Sequence, residues 1–238
     1  MIIPYLGEKS KFSNFITPNI PTNISTYVEP FGGMFGVYFS LNLNNVKFVY
    51  NDMNHLNSNL FTRLKDEDFI SLVKSTKVNK ELYLNSLNSL KVTDNNQLAL
   101  NWLIVLTCSS PYKIGEDSWR GSDEFEMFKL KWKSYEKKFQ NINEILNLDY
   151  KEVINKYDSS STFFYLDPPY MEKEDFYINH NFTKESHKEL SSILNNIEGK
   201  FILSYFYFDG LRELYPDCRF ESKKTLMGTE FIISNYNI

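Results

Sequence analysis

The tetrapeptide Asp167-Pro168-Pro169-Tyr170 is the part of this sequence whose residue types best suit a chemical task. It follows an apolar and aromatic run, residues 162–166, that has the composition of a β-strand. Two consecutive prolines stiffen the backbone beside the acid, because each ring fixes its own φ and restricts the residue before it. The carboxylate of Asp167 is therefore expected on rigid backbone next to an aromatic face.

A planar molecule that carries an amino group fits such an arrangement. The carboxylate and a backbone carbonyl can accept its two hydrogens while the ring of Tyr170 stacks on it. A nucleobase is the obvious planar amine. A plainer alternative is a Pro-Pro turn that closes a strand, with Asp167 as an ordinary turn residue. The tetrapeptide alone leaves both interpretations open.

A glycine-rich turn early in the chain predicts a second half of the site. The strand-like segment Thr26 to Glu29 leads into Pro30-Phe31-Gly32-Gly33-Met34-Phe35-Gly36, in a chain with only 9 glycines. The apolar segment from Val37 to Leu43 is expected to be a helix. A strand, a glycine turn and a helix form the opening of a Rossmann-type unit, in which small residues let the backbone approach a ligand.

An acid follows the next predicted strand. Residues 46–50 are rich in β-forming side chains and end at Asn51-Asp52. In Rossmann-type folds an acid at the end of the second strand, about 20 residues beyond the glycine turn, holds ribose hydroxyls. Further strands are predicted at residues 163–166, 201–204 and 230–234, with a helix between the first two of these. The alternation predicts an α/β sandwich.

The middle of the chain, residues 56–156, has a different pattern. Apolar residues recur there at helical spacing, as at Leu98, Trp102 and Val105. We expect a mostly helical insertion into a catalytic domain formed by residues 1–55 and 157–238. Within it lies a patch of interleaved aromatic and basic residues, namely Tyr112, Lys113, Trp119 and Arg120. Such a patch suits DNA recognition through basic contacts and stacking, and a surface loop with a half-buried Trp explains it equally well.

Composition narrows the class of protein. A chain of 238 residues makes one large domain, or a core domain with an insertion. The net charge of −4 argues against a protein that coats nucleic acid but leaves room for a local groove. Cys108 and Cys218 lack zinc-site spacing, so both thiols are expected to be inert in a reducing compartment. With no apolar N-terminal stretch, we expect a soluble cytoplasmic protein without a membrane partner.

Six landmarks in one order carry a family resemblance. They are Pro4-Tyr5-Leu6-Gly7-Glu8-Lys9, Glu29-Pro30-Phe31-Gly32-Gly33, Asn51-Asp52, Asp167-Pro168-Pro169-Tyr170, Leu203-Ser204 and Glu230-Phe231-Ile232-Ile233-Ser234-Asn235-Tyr236. The series resembles the motifs of the Dam-type adenine-specific DNA methyltransferases, in the alpha order of amino-methyltransferases. The resemblance covers nearly the whole chain and is thin across residues 56–156, where that family places its target-recognition domain.

The resemblance implies a methyl donor, a substrate and a set of site residues. The donor is S-adenosylmethionine, the product is S-adenosylhomocysteine, and no metal is required. The residues implied in donor binding are Tyr5, Gly7, Lys9, Glu29, Phe31, Gly33, Asp52 and Asp167, and those implied in catalysis are Asp167, Pro168, Pro169 and Tyr170. Asp52 is expected to bind the ribose hydroxyls, and Glu29 to lie near the amino group of the methionine portion.

The implied reaction depends on geometry. The adenine amino group is a poor nucleophile because its lone pair is delocalised into the ring. Asp167 and the carbonyl of Pro168 would accept its hydrogens and direct the lone pair at the methyl group, so that positioning supplies most of the rate enhancement. The base must leave the duplex to reach such a pocket, with Tyr170 stacking on it. Lys173 and Tyr177 are candidates to offset the cost of extrusion.

The glycine turn departs from the family pattern. The family runs Phe-x-Gly-x-Gly, whereas this chain places Phe35 at the second glycine, where it is expected to narrow the donor pocket. The histidines His55, His180 and His187 fall in none of the motifs and are expected to be surface or helix residues.

Two other functions stay open at this point. The first is methylation of RNA or of another nucleobase, since the tetrapeptide suits any conjugated amine. The second is a DNA-binding relative that has lost catalysis. Nothing in the tetrapeptide suits hydride transfer, which disfavours a dehydrogenase. We expect a monomer that acts on double-stranded DNA with a flipped adenine, and a cognate restriction endonuclease as a partner is left open.

Overall fold

A single mixed sheet forms the centre of the computed structural model, which describes residues 3–4, 9, 12–110, 113–170, 182–225 and 228–238. Its strands are β1 Thr26–Glu29, β2 Lys47–Asn51, β3 Ile142–Leu146, β4 Thr162–Leu166, β5 Lys200–Phe206, β6 Arg219–Thr225 and β7 Gly228–Ser234. Their order across the sheet is β3-β2-β1-β4-β5-β7-β6. The first five are parallel, and β7 is antiparallel to both β5 and β6. This is a Rossmann-like α/β architecture, as the sequence predicts.

Helices cover the sheet. They are α1 Ser13–Ile16, α2 His55–Arg63, α3 Glu67–Ser75, α4 Lys80–Asn88, α5 Asn95–Cys108, α6 Asp123–Gln140, α7 Tyr150–Tyr157, α8 Lys184–Leu194 and α9 Leu211–Leu214, with 3₁₀ turns at Thr17–Asn19, Tyr38–Ser40 and Glu116–Ser118. Asp66, Asp94 and Asp149 each accept a backbone N–H at the start of a helix, which explains where α3, α5 and α7 begin. Over the described part of the chain, none of the helices has the length and apolarity needed to cross a membrane.

The inner strands are buried on both faces, as parallel strands covered by helices must be. Every residue of β4 is buried. Side chains alternate between two cores, so Tyr27 and Phe163 pack on one face while Val28 and Phe164 pack on the other. Helix α5 joins the first core, and α7 and α8 join the second.

The order of the strands reverses between β1 and β4. Strands β2 and β3 lie on one side of β1, whereas β4 and β5 extend the sheet in the other direction. In open α/β sheets, ligands bind outside the carboxyl ends of the strands at such a switch point. The segments that follow Glu29 on β1 and Leu166 on β4 leave the sheet at this point, and they carry the glycine turn and Asp167.

The helix expected over residues 37–43 is wrong, because only the short 3₁₀ turn Tyr38–Ser40 forms there. The backbone N–H of Tyr38 donates to the buried carboxylate of Glu29 at 3.2 Å, so it is committed to a side chain. Leu41 then takes an extended conformation, with φ −77° and ψ 149°, which ends the turn. The segment therefore makes a single 3₁₀ turn, and the extended backbone at Leu41 ends the helix that the apolar pattern predicts.

Residues 56–156 are mostly helical, as expected, but they also supply part of the sheet. Helices α2 to α6 occupy residues 55–140, and β3 then pairs with β2 in parallel as the edge strand. Val153 and Ile154 of α7 belong to the same core as β4 and α8. The last residues of this segment thus complete the sheet that positions the site.

Candidate active site

The glycine turn after β1 passes directly over the end of β2. A Cβ atom on Gly32 would lie 2.5 Å from a ring carbon of Tyr50 and 2.8 Å from the carbonyl oxygen of Asn51. The N–H of Gly32 donates to that carbonyl at 2.7 Å. Gly33 has φ +49°, in the left-handed region that glycine adopts most readily. The close approach of the two segments therefore requires glycine at position 32.

Asp52 fixes this turn to the start of α2. Its carboxylate accepts the N–H of Gly33 at 2.7 Å and the N–H of Asn54 at 2.7 Å. It also accepts the side-chain amide of Asn57 at 3.2 Å, and the residue is only 8 % exposed. The structure thus brings together the glycine and the acid that the sequence paired by spacing. The binding of ribose hydroxyls by Asp52 stays a prediction.

Glu29 lies at the end of β1 and is almost fully buried. Its carboxylate accepts the hydroxyl of Tyr27 at 2.6 Å and the N–H of Tyr38 at 3.2 Å. Burial raises the pKa of Glu29 well above its ordinary value, the two hydrogen bonds oppose this rise, and the negative charge of Asp167 adds to it. Glu29 therefore links the end of β1 with the segment that follows the glycine turn.

Two aromatic residues of the turn lie on different sides of it. Phe31 is half-buried and stacks on Tyr150, with ring centres 5.1 Å apart. Phe35 is fully buried and stacks on Tyr38 at 4.3 Å, with φ +55°. Phe35 packs in the core with Tyr50 and Phe61 rather than on an open surface. Its unusual backbone conformation accommodates a core contact.

Asp167 sits at the centre of a cluster of charged and hydroxyl groups beyond the end of β4. The ammonium of Lys9 lies 3.0 Å from one oxygen of the Asp167 carboxylate. The hydroxyl of Tyr170 donates to the other oxygen at 2.7 Å. Pro168 and Pro169, between these two side chains, are buried. Both oxygens of Asp167 are therefore oriented by separate donors.

A second carboxylate, that of Glu230 on β7, completes the cluster. It accepts the Tyr170 hydroxyl at 3.1 Å, and the Lys9 ammonium lies 3.5 Å from the same oxygen. Burial raises the pKa of Glu230, with Lys9 lowering it and Asp167 raising it. The family resemblance places Glu230 at the start of its last motif and implies no role for it. The one feature of the sequence that could have indicated a site residue is an acid at the start of the apolar strand 230–234.

Tyr170 is enclosed by this cluster and by aromatic neighbours. The side chain is 4 % exposed, with Lys9 above its ring at 4.9 Å. Tyr205 and Phe206 pack on it with ring centres 5.2 and 5.0 Å away. Burial raises the pKa of Tyr170 well above its ordinary value, and the charges of Asp167 and Glu230 raise it further. The hydroxyl accordingly stays protonated and is a hydrogen-bond donor between two carboxylates.

Other predicted residues lie elsewhere or outside the described part of the chain. Tyr5, Gly7, Tyr112, Lys173, Tyr177 and His180 are outside the described residues. Lys113 and Arg120 are exposed in the loop after α5, and the half-buried Trp119 packs on Tyr83 with ring centres 5.3 Å apart. These three residues are not part of the Asp167 cluster.

His187 is a helix residue, as expected, but it is buried rather than on the surface. It lies on α8 with 2 % exposure, and its ring nitrogens contact the hydroxyl of Tyr205. Burial lowers the pKa of His187 to about 4. The side chain thus packs behind Tyr170 through Tyr205. His55 is exposed at the first position of α2.

Comparison with known proteins identifies the family. The family model described as D12 class N6 adenine-specific DNA methyltransferase matches residues 5–229. The chain belongs to this family. It is 26 % identical over 188 residues to the modification methylase StsI of Streptococcus sanguinis, covering 70 % of this chain and 28 % of that protein. It is 24 % identical over 234 residues to the type II methyltransferase M.CviBI of Paramecium bursaria Chlorella virus NC1A, covering 90 % and 85 %.

The two relatives are covered to different extents, and the family model extends over the candidate site. The chain spans less than a third of the StsI methylase and most of M.CviBI. The matched region includes the glycine turn, Asp52, the Asp167 tetrapeptide and all of residues 56–156. The glycine turn and Asp167 follow β1 and β4, on either side of the switch point.

Proposed function

We propose that this chain transfers a methyl group from S-adenosylmethionine to the exocyclic amino group of adenine in double-stranded DNA. One observation carries the proposal. In a member of the adenine-specific family, the carboxylate of Asp167 lies at the switch point with both oxygens oriented, by Lys9 at 3.0 Å and by Tyr170 at 2.7 Å. A fixed carboxylate at this edge can accept hydrogen bonds from a planar amine.

The residues at the switch point fit the donor. S-adenosylmethionine supplies, when bound, an electrophilic methyl group on a sulfonium centre. Three strand ends carry buried or half-buried carboxylates, namely Glu29, Asp52 and Asp167, which suit the amino group, hydroxyls and positive charge of that molecule. The turn at Gly32 and Gly33 brings backbone rather than side chain to the same edge. We expect the donor to need no metal.

In this proposal the protein works through position. Asp167 and the carbonyl of Pro168 accept the two hydrogens of the adenine amine and aim its lone pair at the methyl group. Before the amine binds, Lys9 and Tyr170 hold the carboxylate of Asp167 in one orientation. Fixed polar groups of this kind stabilise a transition state without reorganising during the reaction. The proton leaves the amine as or after the new bond forms.

Residues 56–156 are proposed to recognise DNA. Lys113 and Arg120 are exposed on the loop after α5, where they can reach phosphates or base edges. The target adenine would be flipped out of the duplex. Stacking of that base on Tyr170 requires Lys9 to leave the ring face that it covers. We expect the chain to act as a cytoplasmic monomer, and a paired restriction endonuclease is part of the same proposal.

Transfer of label from the donor tests the reaction. Purified protein is incubated with methyl-labelled donor and either duplex DNA or RNA, and DNA from expressing cells is sequenced with detection of N6-methyladenine. Label in DNA, together with one methylated sequence context in the cells, is the expected result. Label confined to RNA would show that RNA is the substrate. Absence of label with intact donor binding would show that the chain binds the donor without catalysing methyl transfer.

Asp167→Asn tests the proposed catalytic carboxylate. The amide keeps the shape of the side chain but presents N–H donors where the amine needs an acceptor. We expect the single-turnover rate to fall by at least about a hundredfold, by analogy with the loss of one positioned polar group in other active sites. Asp209→Asn, at an exposed position, is the control and should keep the parental rate. A variant at position 167 that methylates normally would contradict the assignment.

A further inference from the structure

Glu230 holds a position in the site that the reaction described above leaves unused. It lies on β7, opposite Phe206 of β5 and Lys223 of β6, and is 5 % exposed. It shares both of its hydrogen-bonding neighbours with Asp167. The Tyr170 hydroxyl lies 2.7 Å from Asp167 and 3.1 Å from Glu230, and the Lys9 ammonium lies 3.0 and 3.5 Å from them.

This sharing matters when an amino group approaches Asp167. The Tyr170 hydroxyl has a single proton, so it can donate fully to only one of the two carboxylates. An amine that binds Asp167 competes with that hydroxyl and with Lys9. Donors that lose a buried partner and gain no other are destabilising. The enclosed hydroxyl of Tyr170 therefore needs a second acceptor if Asp167 is to receive the amine.

We propose that Glu230 is a positioning residue, which takes over the Tyr170 hydroxyl and the Lys9 ammonium from Asp167 when the amino group of the target base binds. The inference rests on the proposed function and adds a residue to it. Glu230 touches neither substrate in this scheme. It acts by holding the ammonium of Lys9 and the hydroxyl of Tyr170 on its side of the pocket, so that the oxygens of Asp167 are released while the Tyr170 hydroxyl keeps an acceptor.

The charge of Glu230 is essential to this role. Among the described residues, the titratable or charged groups that face it are Lys9, Tyr165, Asp167, Tyr170 and, across the strand pair, Lys223. Burial raises the pKa of Glu230, so it gains a proton at a higher pH than an exposed glutamate does. A protonated Glu230 holds Lys9 weakly. The methyl-transfer rate of the parent should therefore decline on the acid side as Glu230 becomes neutral.

Glu230→Gln tests the proposal by removing the charge. Glu230→Asp keeps the carboxylate on a shorter side chain. Glu221→Gln on the neighbouring strand β6 is the matched control. Single-turnover methyl transfer is measured with saturating donor and DNA between pH 5 and pH 8. We expect Glu230→Gln to be about tenfold slower at neutral pH and to lose the acid-side decline. Donor affinity by calorimetry should stay within about twofold, because Glu230 touches neither substrate in this scheme.

The outcomes separate this inference from the function on which it rests. A faster rate in Glu230→Asp than in Glu230→Gln supports the proposal. If Glu230→Gln does not fold, a parental rate in Glu230→Asp overturns it, because the shorter side chain places the carboxylate farther from Lys9 and Tyr170. A parental rate and pH profile in Glu230→Gln would also overturn it, as would a loss of rate matched by an equal loss of donor affinity. Failure of the parent protein to methylate DNA would instead refute the proposed function.

Discussion

Replacing Asp52 with Ala should destabilise the glycine turn and weaken donor binding together. Asp52 accepts two backbone amides, those of Gly33 and Asn54, each at 2.7 Å. It also accepts the amide of Asn57 at 3.2 Å. Alanine removes both carboxylate oxygens, and with them all three hydrogen bonds, from a residue that is 8 % exposed. The turn at Gly33 and the start of α2 then lose their shared partner.

The size of the effect follows from these contacts. A hydrogen bond to a charged group contributes about 1.5–3 kcal/mol. The amide of Gly33 is partly buried and can gain water, so we take the low end for two backbone bonds, which is about 3 kcal/mol. For a chain of this length, 1 kcal/mol shifts the melting temperature by about 2–4 °C. Asp52→Ala should therefore melt about 6–12 °C below the parent.

Thermal unfolding and calorimetric titration with the donor measure the two effects. Asp52→Asn keeps one acceptor oxygen and should fall between the parent and Asp52→Ala in melting temperature. Asp209→Ala, an exposed acid, should melt within about 1 °C of the parent, since surface substitutions rarely exceed 0.5 kcal/mol. A melting temperature for Asp52→Ala equal to that of the parent would refute the energetic argument. Unchanged donor affinity would refute a role for Asp52 in binding the donor.

Two further predictions concern the insertion and the sheet edge. The indole N–H of Trp102 donates to Asn57 at 2.9 Å, so Trp102→Phe should lower the free energy of unfolding in urea by about 1–3 kcal/mol and weaken binding of the methyl donor. Trp132→Phe is the control, because the indole nitrogen of Trp132 has no hydrogen-bond partner among the described residues. Equal losses of donor affinity in the two variants would contradict the prediction. Glu144 has its pKa lowered to about 2 by Lys47, Tyr157 and Lys156, so its stabilisation is present above pH 4.5 and is lost as the pH falls towards 2. Glu144→Gln should lower the free energy of unfolding at pH 7, measured in urea, by about 1 kcal/mol or less. The difference in stability between parent and variant should shrink as the pH falls towards 2. A difference that stays constant with pH would contradict this prediction.

The sequence predicted the parts of the fold that depend on local pattern. Strand β1 lies where the run Thr26 to Glu29 predicted it, and β2 is displaced by one residue from the predicted segment 46–50. Spacing also paired Gly33 with Asp52, because a turn and a strand end that are adjacent in a Rossmann-type unit have a characteristic separation. These features are set by neighbouring residues and by fold geometry.

Contacts between distant segments could not be predicted in the same way. The approach of Glu230 to Asp167 depends on β7 lying between β5 and β6, which no local pattern specifies. The apolar pattern of residues 37–43 likewise does not specify the extended backbone at Leu41, which ends the 3₁₀ turn after Ser40. Edge strand β3, inside the predicted insertion, pairs with β2 from about 95 residues away, as the bond from Phe48 to Asn143 illustrates.

The two halves of the site are built on different principles. On the proposed methyl-donor side, side chains hold the backbone: Asp52 accepts the N–H of Gly33, and Asn51 accepts the N–H of Leu148 while donating to Pro30 at 2.8 Å. Such contacts fix the backbone at this edge. On the proposed adenine side, the hydroxyl of Tyr170 and the ammonium of Lys9 face two carboxylates, so more than one pairing satisfies them. A site that must keep one ligand in place while admitting another has reason to be rigid on the first side and exchangeable on the second.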